Sequence, residues 1–314
     1  MSLFGSVIPS DAQGSHNFRN KFINGDMRVW QRGTSFSSIG TSTYSTDRWF
    51  SNYGGTAPTF SRSTDVPTGF KYSISCAGSS TSYHGIGQRI ESLNTAELSG
   101  QTVTLSFYAK LSSGTATNGL SISVSYANSV DDFSATTGVL ETNITSTISG
   151  SWTRYSYTFT VTSTMATNGF HVVVFNPSAT QTFTMLLTGM QLERGSIATP
   201  FEFRPITTEL QLCQRYFQRH GTPSSGRGFQ FYAGNSAAGD SNQAAIGLTW
   251  PVTMRIGPSF TLGTLADSNG NANSQSMAPQ GTTTMWVWTY NNSGNFSGNG
   301  KSYYYDYFDV SAEL

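Results

Sequence analysis

Apolar and polar residues alternate with a period of two over much of this chain. KYSISCA (71–77) sets Tyr72, Ile74 and Cys76 on one side, and TVTLSFYAK (102–110) sets Val103, Leu105, Phe107 and Ala109 on one side with hydroxyls opposite. LSISVSY (120–126) and RYSYTFTV (154–161) repeat the arrangement with Leu120, Ile122, Val124 and Tyr126, then Tyr155, Tyr157, Phe159 and Val161. Side chains of a strand point alternately to its two faces, so these stretches predict half-buried strands. The Gly, Asn and Ser turns between them predict an antiparallel sandwich. FHVVVF (170–175) and FTMLLTGMQL (183–192) are more apolar and predict central strands. TTELQLCQRYF (207–217) breaks the pattern: Leu210, Cys213 and Phe217 have helical spacing, with Thr207 placed as N-cap and Glu209 in the first turn. Alternation then resumes in GFQFYAG (228–234), AAIGLTW (244–250), SFTLGTL (259–265), TMWVWTY (284–290) and SYYYDYFDV (302–310).

The fold class expected is therefore all-β. Residues 1–17 fit neither period and contain Pro9 and Gly14; such an arm is either disordered or ordered by a partner chain. A first β-sandwich spans 18–204, a linker with a short helix spans 205–219, and a second, smaller C-terminal β-sandwich spans 220–314.

Composition narrows the function classes. Charged residues make up 11% of the 314, and 17 Lys+Arg balance 17 Asp+Glu, so no net field exists to gather nucleic acid or anionic lipid. Ser and Thr exceed a quarter of the chain, so hydroxyls and amides solubilise it in place of ions. The start carries neither a basic n-region nor a useful apolar run, and no segment approaches the length of a membrane span. Cys76 and Cys213 lie in different predicted units, which favours two buried thiols over a bridge.

Catalytic motifs are absent. His16, His84, His171 and His220 include no pair at metal-ligand spacing, and His84 reads as a satisfied loop histidine. There is no HExxH, CxxC pair or GxSxG, and GIG (85–87) lacks the rest of a dinucleotide fingerprint. Asp131 and Asp132 are adjacent, so on a strand they point to opposite faces; they read as a turn. DSNGNAN (267–273) echoes a calcium loop, but its glycine is misplaced and no closing glutamate follows. The chain is expected not to be an enzyme.

Aromatic residues are the richest resource. Trp286 and Trp288 share one face of a predicted strand, and YYYDYF (303–308) has rings on both faces. Sugar rings stack on such platforms, which makes Tyr303, Tyr305, Trp286 and Trp288 glycan-binding candidates, together with Asn295 in the long loop NNSGNFSGNG and Tyr83 in the first sandwich. The competing readings are core packing and contact with another subunit.

INGDMRVWQRG (23–33), TDRW (46–49) and GMQLERGSIATPFEFRP running into TELQLCQRYF occur in that order. Their conjunction resembles phage and prophage virion proteins: tail-fibre and related structural proteins carrying a carbohydrate-binding-module-like jelly roll. The resemblance implies a first jelly-roll strand over Ile23–Trp30 beside a last strand over Met185–Glu193. It implies a structural corner of Trp30, Asp47, Arg48 and Trp49, with Trp49 buried and Arg48 tied by Asp47 or backbone carbonyls. Related jelly rolls hold a structural calcium near the acid after NG, which makes Asp26 its candidate ligand, although Met27 and Arg28 stand where a further acid is wanted. The implied protein is a homotrimeric tail-fibre or similar appendage subunit on the virion surface, made in the host cytoplasm. It attaches to other virion proteins through residues 1–17 and binds host-surface glycan with its C-terminal half. The alternative is a capsid decoration, cement or head-fibre protein that binds only virion neighbours.

Overall fold

The computed structural model describes residues 18–80, 83–177, 181–221, 229–232, 243–262, 265–267, 274–279, 281–290, 302–305 and 307–314. The arm 1–17, most of DSNGNAN and the loop bearing Asn295 lie outside the described residues. The chain divides into two compact units: Thr34–Arg204 with the chain up to Arg28, and Val29–Gly33 with Pro205–Leu314. Among the described residues no helix is long and apolar enough to cross a membrane.

The chain is all-β, as its alternation predicts. The first unit comprises β1 (Ser35–Phe36), β2 (Phe50–Gly54), β3 (Thr59–Ser63), β4 (Ser73–Ser80), β5 (Tyr83–Ile90), β6 (Thr102–Gly114), β7 (Leu120–Ser129), β8 (Asp132–Thr145), β9 (Thr153–Thr160), β10 (Phe170–Asn176) and β11 (Gln181–Arg194). One sheet has the order β1-β3-β4-β11-β6-β9 and the other β2-β5-β10-β7-β8. Of the residues expected to face inward, Ile74, Cys76, Val103, Leu105, Phe107, Ala109, Leu120, Ile122, Val124 and Val161 are fully buried, while Tyr72, Tyr126, Tyr155, Tyr157 and Phe159 are half-buried. β10 and β11 are interior strands of their sheets, which is why they are apolar on both sides. Asp131 sits in the β7–β8 turn at φ 56°, where its carboxylate accepts from Ser92 N at 2.7 Å and Ser92 Oγ at 2.9 Å.

The three motifs of the family resemblance meet at one seam. β4 pairs with β11 only as far as Leu187, and beyond that point residues 20–25 run along the vacated edge of β11. Lys21 N donates to Leu192 O at 2.8 Å, Met190 N donates to Gly25 O at 2.9 Å, and Asn20 Nδ2 donates to Met190 O at 3.0 Å. β11 is bulged here, its register on β6 shifting between Thr188 and Gln191, which turns the Met190 peptide toward this segment. Gly25 is required by proximity: a Cβ there stands 2.1 Å from Met190 O. The adjacency follows the expectation, but Ile23–Trp30 is not a strand. Asn24 and Met27 adopt φ of 57° and 56°, left-handed conformations that interrupt an extended chain.

NGD and TDRW are clamped to each other. Asn24 Nδ2 donates to Thr46 Oγ1 and Asp47 O, both at 3.0 Å, and Trp49 Nε1 donates to Asn24 O at 2.9 Å. Trp49 is fully buried against Phe22, ring centroids 5.2 Å apart, and Asp47 and Arg48 are buried beside it. The Arg48 guanidinium donates to Arg89 O at 2.7 Å. A buried cation held this way fixes geometry more than it adds stability. Gln88 imitates a strand neighbour: its amide accepts from Ile23 N and donates to Ile23 O, each at 2.8 Å. Arg204 donates to Phe22 O at 3.1 Å and to Asn20 O, while Glu202 accepts from Asn20 N at 2.9 Å. The charges around the tryptophans are thus architectural.

In the second unit, α2 (Ile206–Gln214; α1 is the single turn-and-a-half Ser163–Asn168 before β10) starts two residues ahead of expectation. Its N-cap is Pro205, without a side-chain cap bond, rather than Thr207; Glu209 does stand in the first turn. The strands are β12 (Phe217–Gly221), β13 (Phe229–Tyr232), β14 (Gln243–Thr249), β15 (Ser259–Leu262), β16 (Leu265–Asp267), β17 (Ser274–Pro279), β18 (Thr284–Tyr290), β19 (Ser302–Tyr305) and β20 (Tyr307–Ser311). They form three three-stranded sheets, β12-β20-β15, β13-β19-β16 and β14-β18-β17. SYYYDYFDV is therefore two strands in two sheets, as is SFTLGTL. Trp30 lies in Val29–Gly33, the segment that groups with this unit, and is half-buried. Beside it, Arg32 pairs with Glu313 at 3.0 Å and stacks on Phe217 at 3.6 Å. Arg219 grips Asp309 with two bonds, 2.7 and 2.6 Å. Both cysteines are buried thiols.

Candidate functional site

Alternation that sends one set of side chains into the core sends the complementary set onto the outer face of the five-stranded sheet. On β5 these are Tyr83, Gly85, Gly87 and Arg89; on β10 they are His171, Val173 and Phe175; on β7, Ser121, Ser123 and Ser125. Val173 and Phe175 are almost completely buried on this face. They are covered by Phe50, Tyr44 and Tyr83 in an apolar cluster. Glycine makes the cover fit: a Cβ at Gly87 stands 2.4 Å from Phe50 Cζ, so the bare backbone of GIG lets the ring lie down.

A cleft of about 240 Å³ opens on this face, lined by Asn52, Tyr83, Ser123, Glu141, His171, Val173 and Phe175. Five strands contribute to it. Tyr83 is half-buried and meets Phe175 edge-on at 5.8 Å. His171 stacks on Phe133 and meets Phe50 edge-on, each at 5.9 Å. Directly across the β5–β10 pair from His171 stands Arg89, whose guanidinium lies 4.8 Å from the Phe50 ring and 5.5 Å from that of Phe133. Burial, and secondly the Arg89 charge, push the His171 imidazole down to about 4, so it is neutral at pH 7. The cleft thus offers an amide, a hydroxyl, a carboxylate and a neutral imidazole around apolar ring edges. That set donates to and accepts from polyols.

Of the residues named from sequence, Tyr83 lies in this cleft. Trp286 and Trp288 fall on β18, opposite Gly247 and Ala245 of β14. Tyr303 and Tyr305 fall on β19, opposite Phe231 and Phe229 of β13. The tryptophan and tyrosine pairs therefore belong to different sheets, and Asn295 lies outside the described residues. Asn52, Ser123, Glu141 and His171 join Tyr83 in the cleft without any local motif that marks them as ligands. His84 is not a satisfied loop residue: it is on β5, fully buried, stacked 4.1 Å from Phe183, and neither ring nitrogen has a hydrogen-bond partner. Asp26 is buried in an ion pair with Arg28, which gives its carboxylate a guanidinium as neighbour in place of the further oxygens that calcium takes. Among the described residues no group of three or more His, Cys, Asp or Glu is arranged to hold a metal.

Residues 34–180 match the family model for a carbohydrate binding domain, a segment containing every strand of the five-stranded sheet. No curated protein matches the chain in sequence. Solved structures similar to it include the CBM22-1 xylan-binding domain from Paenibacillus barcinonensis Xyn10C, at 16% identity and a TM-score of 0.36, over 52% of this chain and 94% of that one. Another is the C-terminal family 22 carbohydrate binding module of Clostridium thermocellum Xyn10B, at 12% identity and a TM-score of 0.37, over 51% and 93% of the two chains. A third is the enzymatically active domain of tailspike protein 4 from bacteriophage CBA120, at 15% identity and a TM-score of 0.36, over 56% of this chain and 22% of that one.

Proposed function

We propose that this protein is a non-catalytic glycan-binding appendage subunit of a phage particle, and that the outer face of its five-stranded sheet holds the glycan. The observation that carries the reading is the cleft: ring edges and four kinds of hydroxyl-binding group from five strands, on a segment that matches a carbohydrate binding domain. The phage setting is supported by INGDMRVWQRG, TDRW and GMQLERG, which resemble virion proteins. Attachment through residues 1–17 and a homotrimeric state belong to the same reading, and a decoration protein binding only virion neighbours is its rival.

A glycan array probed with the soluble protein tests the reading. Binding is expected at neutral pH. Tyr83→Ala is expected to weaken it several-fold, since a ring contact contributes on the order of 1 kcal/mol. Tyr303→Ala and Tyr305→Ala are the comparison. If they abolish binding while Tyr83→Ala leaves it intact, recognition lies in the second unit. If no glycan binds and the chain is found only at capsid vertices or faces in a virion reconstruction, the decoration reading replaces this one.

A further inference from the structure

Two cations cannot share the His171 site at equal ease. The residues facing His171 come from four strands. Arg89 of β5 stands directly opposite it, Ser125 of β7 stands opposite on the other side, Phe50 of β2 meets its ring, and Phe133 and Glu141 of β8 complete the surround. Arg48 lies beyond, its guanidinium 6.0 Å from the Tyr44 ring on which Arg89 also sits at 6.0 Å. Tyr44 and Tyr83 are further titratable groups on this face. Phe50 and Phe133 already carry the Arg89 guanidinium, 4.8 and 5.5 Å from their ring centroids. The buried Nδ1 of His171 has no hydrogen-bond partner, so a proton added there is donated to nothing. Like charges directly opposed across a strand pair repel.

We infer that His171 is an acid latch on the cleft: protonated, it is repelled by Arg89 across the β5–β10 pair, leaves its slot between the two rings, and the cleft releases its glycan. This rests on the glycan reading above and adds a pH dependence to that site. The neutral form persists well into acid, because His171 is pushed down to about 4. If only the neutral form binds, affinity falls about fourfold between pH 5.5 and 3.5 and roughly tenfold by pH 3.0.

The test uses the full chain. A glycan array of β-glycan hexasaccharides and bacterial O-chain repeats is read from pH 7.5 to 3.0, with circular dichroism at each pH. In parallel, imidazole NMR follows His171. Expected are a His171 midpoint near 4, a matching fall in array signal, and amide shifts at Tyr83, Glu141 and Phe175 with the same midpoint. Arg89→Gln should raise that midpoint, bringing the event into a milder pH range. His171→Asn should flatten the ratio between pH 5.5 and 3.5, and Glu141→Gln should leave a slope. A His171 midpoint near 6.5, a slope that survives His171→Asn, or cleft amides that ignore the His171 titration overturns the latch. An array blank at pH 7.5 removes the glycan reading alone, and the NMR arm still decides whether the latch exists.

Discussion

Replacing Gly25 by alanine tests whether the seam holds the first unit together. The new Cβ stands 2.1 Å from Met190 O, more than 1 Å inside ordinary contact. Residues 20–25 must then move off β11, and two bonds cannot survive the move: Met190 N to Gly25 O at 2.9 Å and Asn20 Nδ2 to Met190 O at 3.0 Å. Each contributes about 1 kcal/mol, and a buried Met190 peptide left unpaired adds about 1 to 3 kcal/mol. The expected loss is about 3 to 5 kcal/mol. Urea unfolding followed by circular dichroism measures it, and hydrogen exchange at the Met190 amide should accelerate in step. Gly138→Ala is the matched control, since a Cβ there meets nothing within 4 Å. A Gly25→Ala protein within 1 kcal/mol of wild type, with Met190 still protected, would refute the reasoning.

Trp49→Phe keeps the ring against Phe22 but removes one of the two donors to the Asn24 carbonyl, which Met27 N still reaches at 3.2 Å, and should cost about 1 kcal/mol in the same urea experiment. His84 makes stability depend on acid: burial pushes it from 6.5 to about 4, so the unfolded chain binds the proton first. That contribution is complete above pH 6.5 and is lost as pH falls toward 4, by up to about 3 kcal/mol. His84→Phe preserves the stack on Phe183, and thermal melts from pH 7 to 4 should show a shallower decline than wild type.

What the sequence revealed depended on how strands meet solvent. β4, β6, β7 and β9 carry hydroxyls on the face opposite the core, largely buried in the first three and exposed in β9, and that alternation of polarity announces them. β8 is exposed over most of its length at the edge of its sheet, so burial wrote no period into it. β5, YHGIGQRI, hides a histidine and a glutamine in the core and shows glycines on its other face, which inverts the usual pattern. The cleft was unreadable for a related reason. Asn52, Ser123, Glu141 and His171 stand far apart in the chain, and only strand register assembles them. Tyr83 was reached through its aromatic character alone. The seam was visible because its parts are contiguous motifs, although Gln88, which bonds both polar atoms of Ile23, belongs to none of them.

The seam also bears on the order of events as the chain folds. Its bonds from residues 20–25 to β11 and Arg204 join residues 165 to 184 positions apart, as in Gly25 to Met190 and Asn20 to Arg204. Closing a loop of that length costs on the order of 4 kcal/mol in chain entropy, against about 1 kcal/mol for the tight β7–β8 turn. The hairpins therefore form first, and residues 20–25 wait until β11 exists to receive them. Contacts made after the rate-limiting step alter the unfolding rate and leave the folding rate nearly unchanged. The seam governs how long the folded unit lasts, not how quickly it forms.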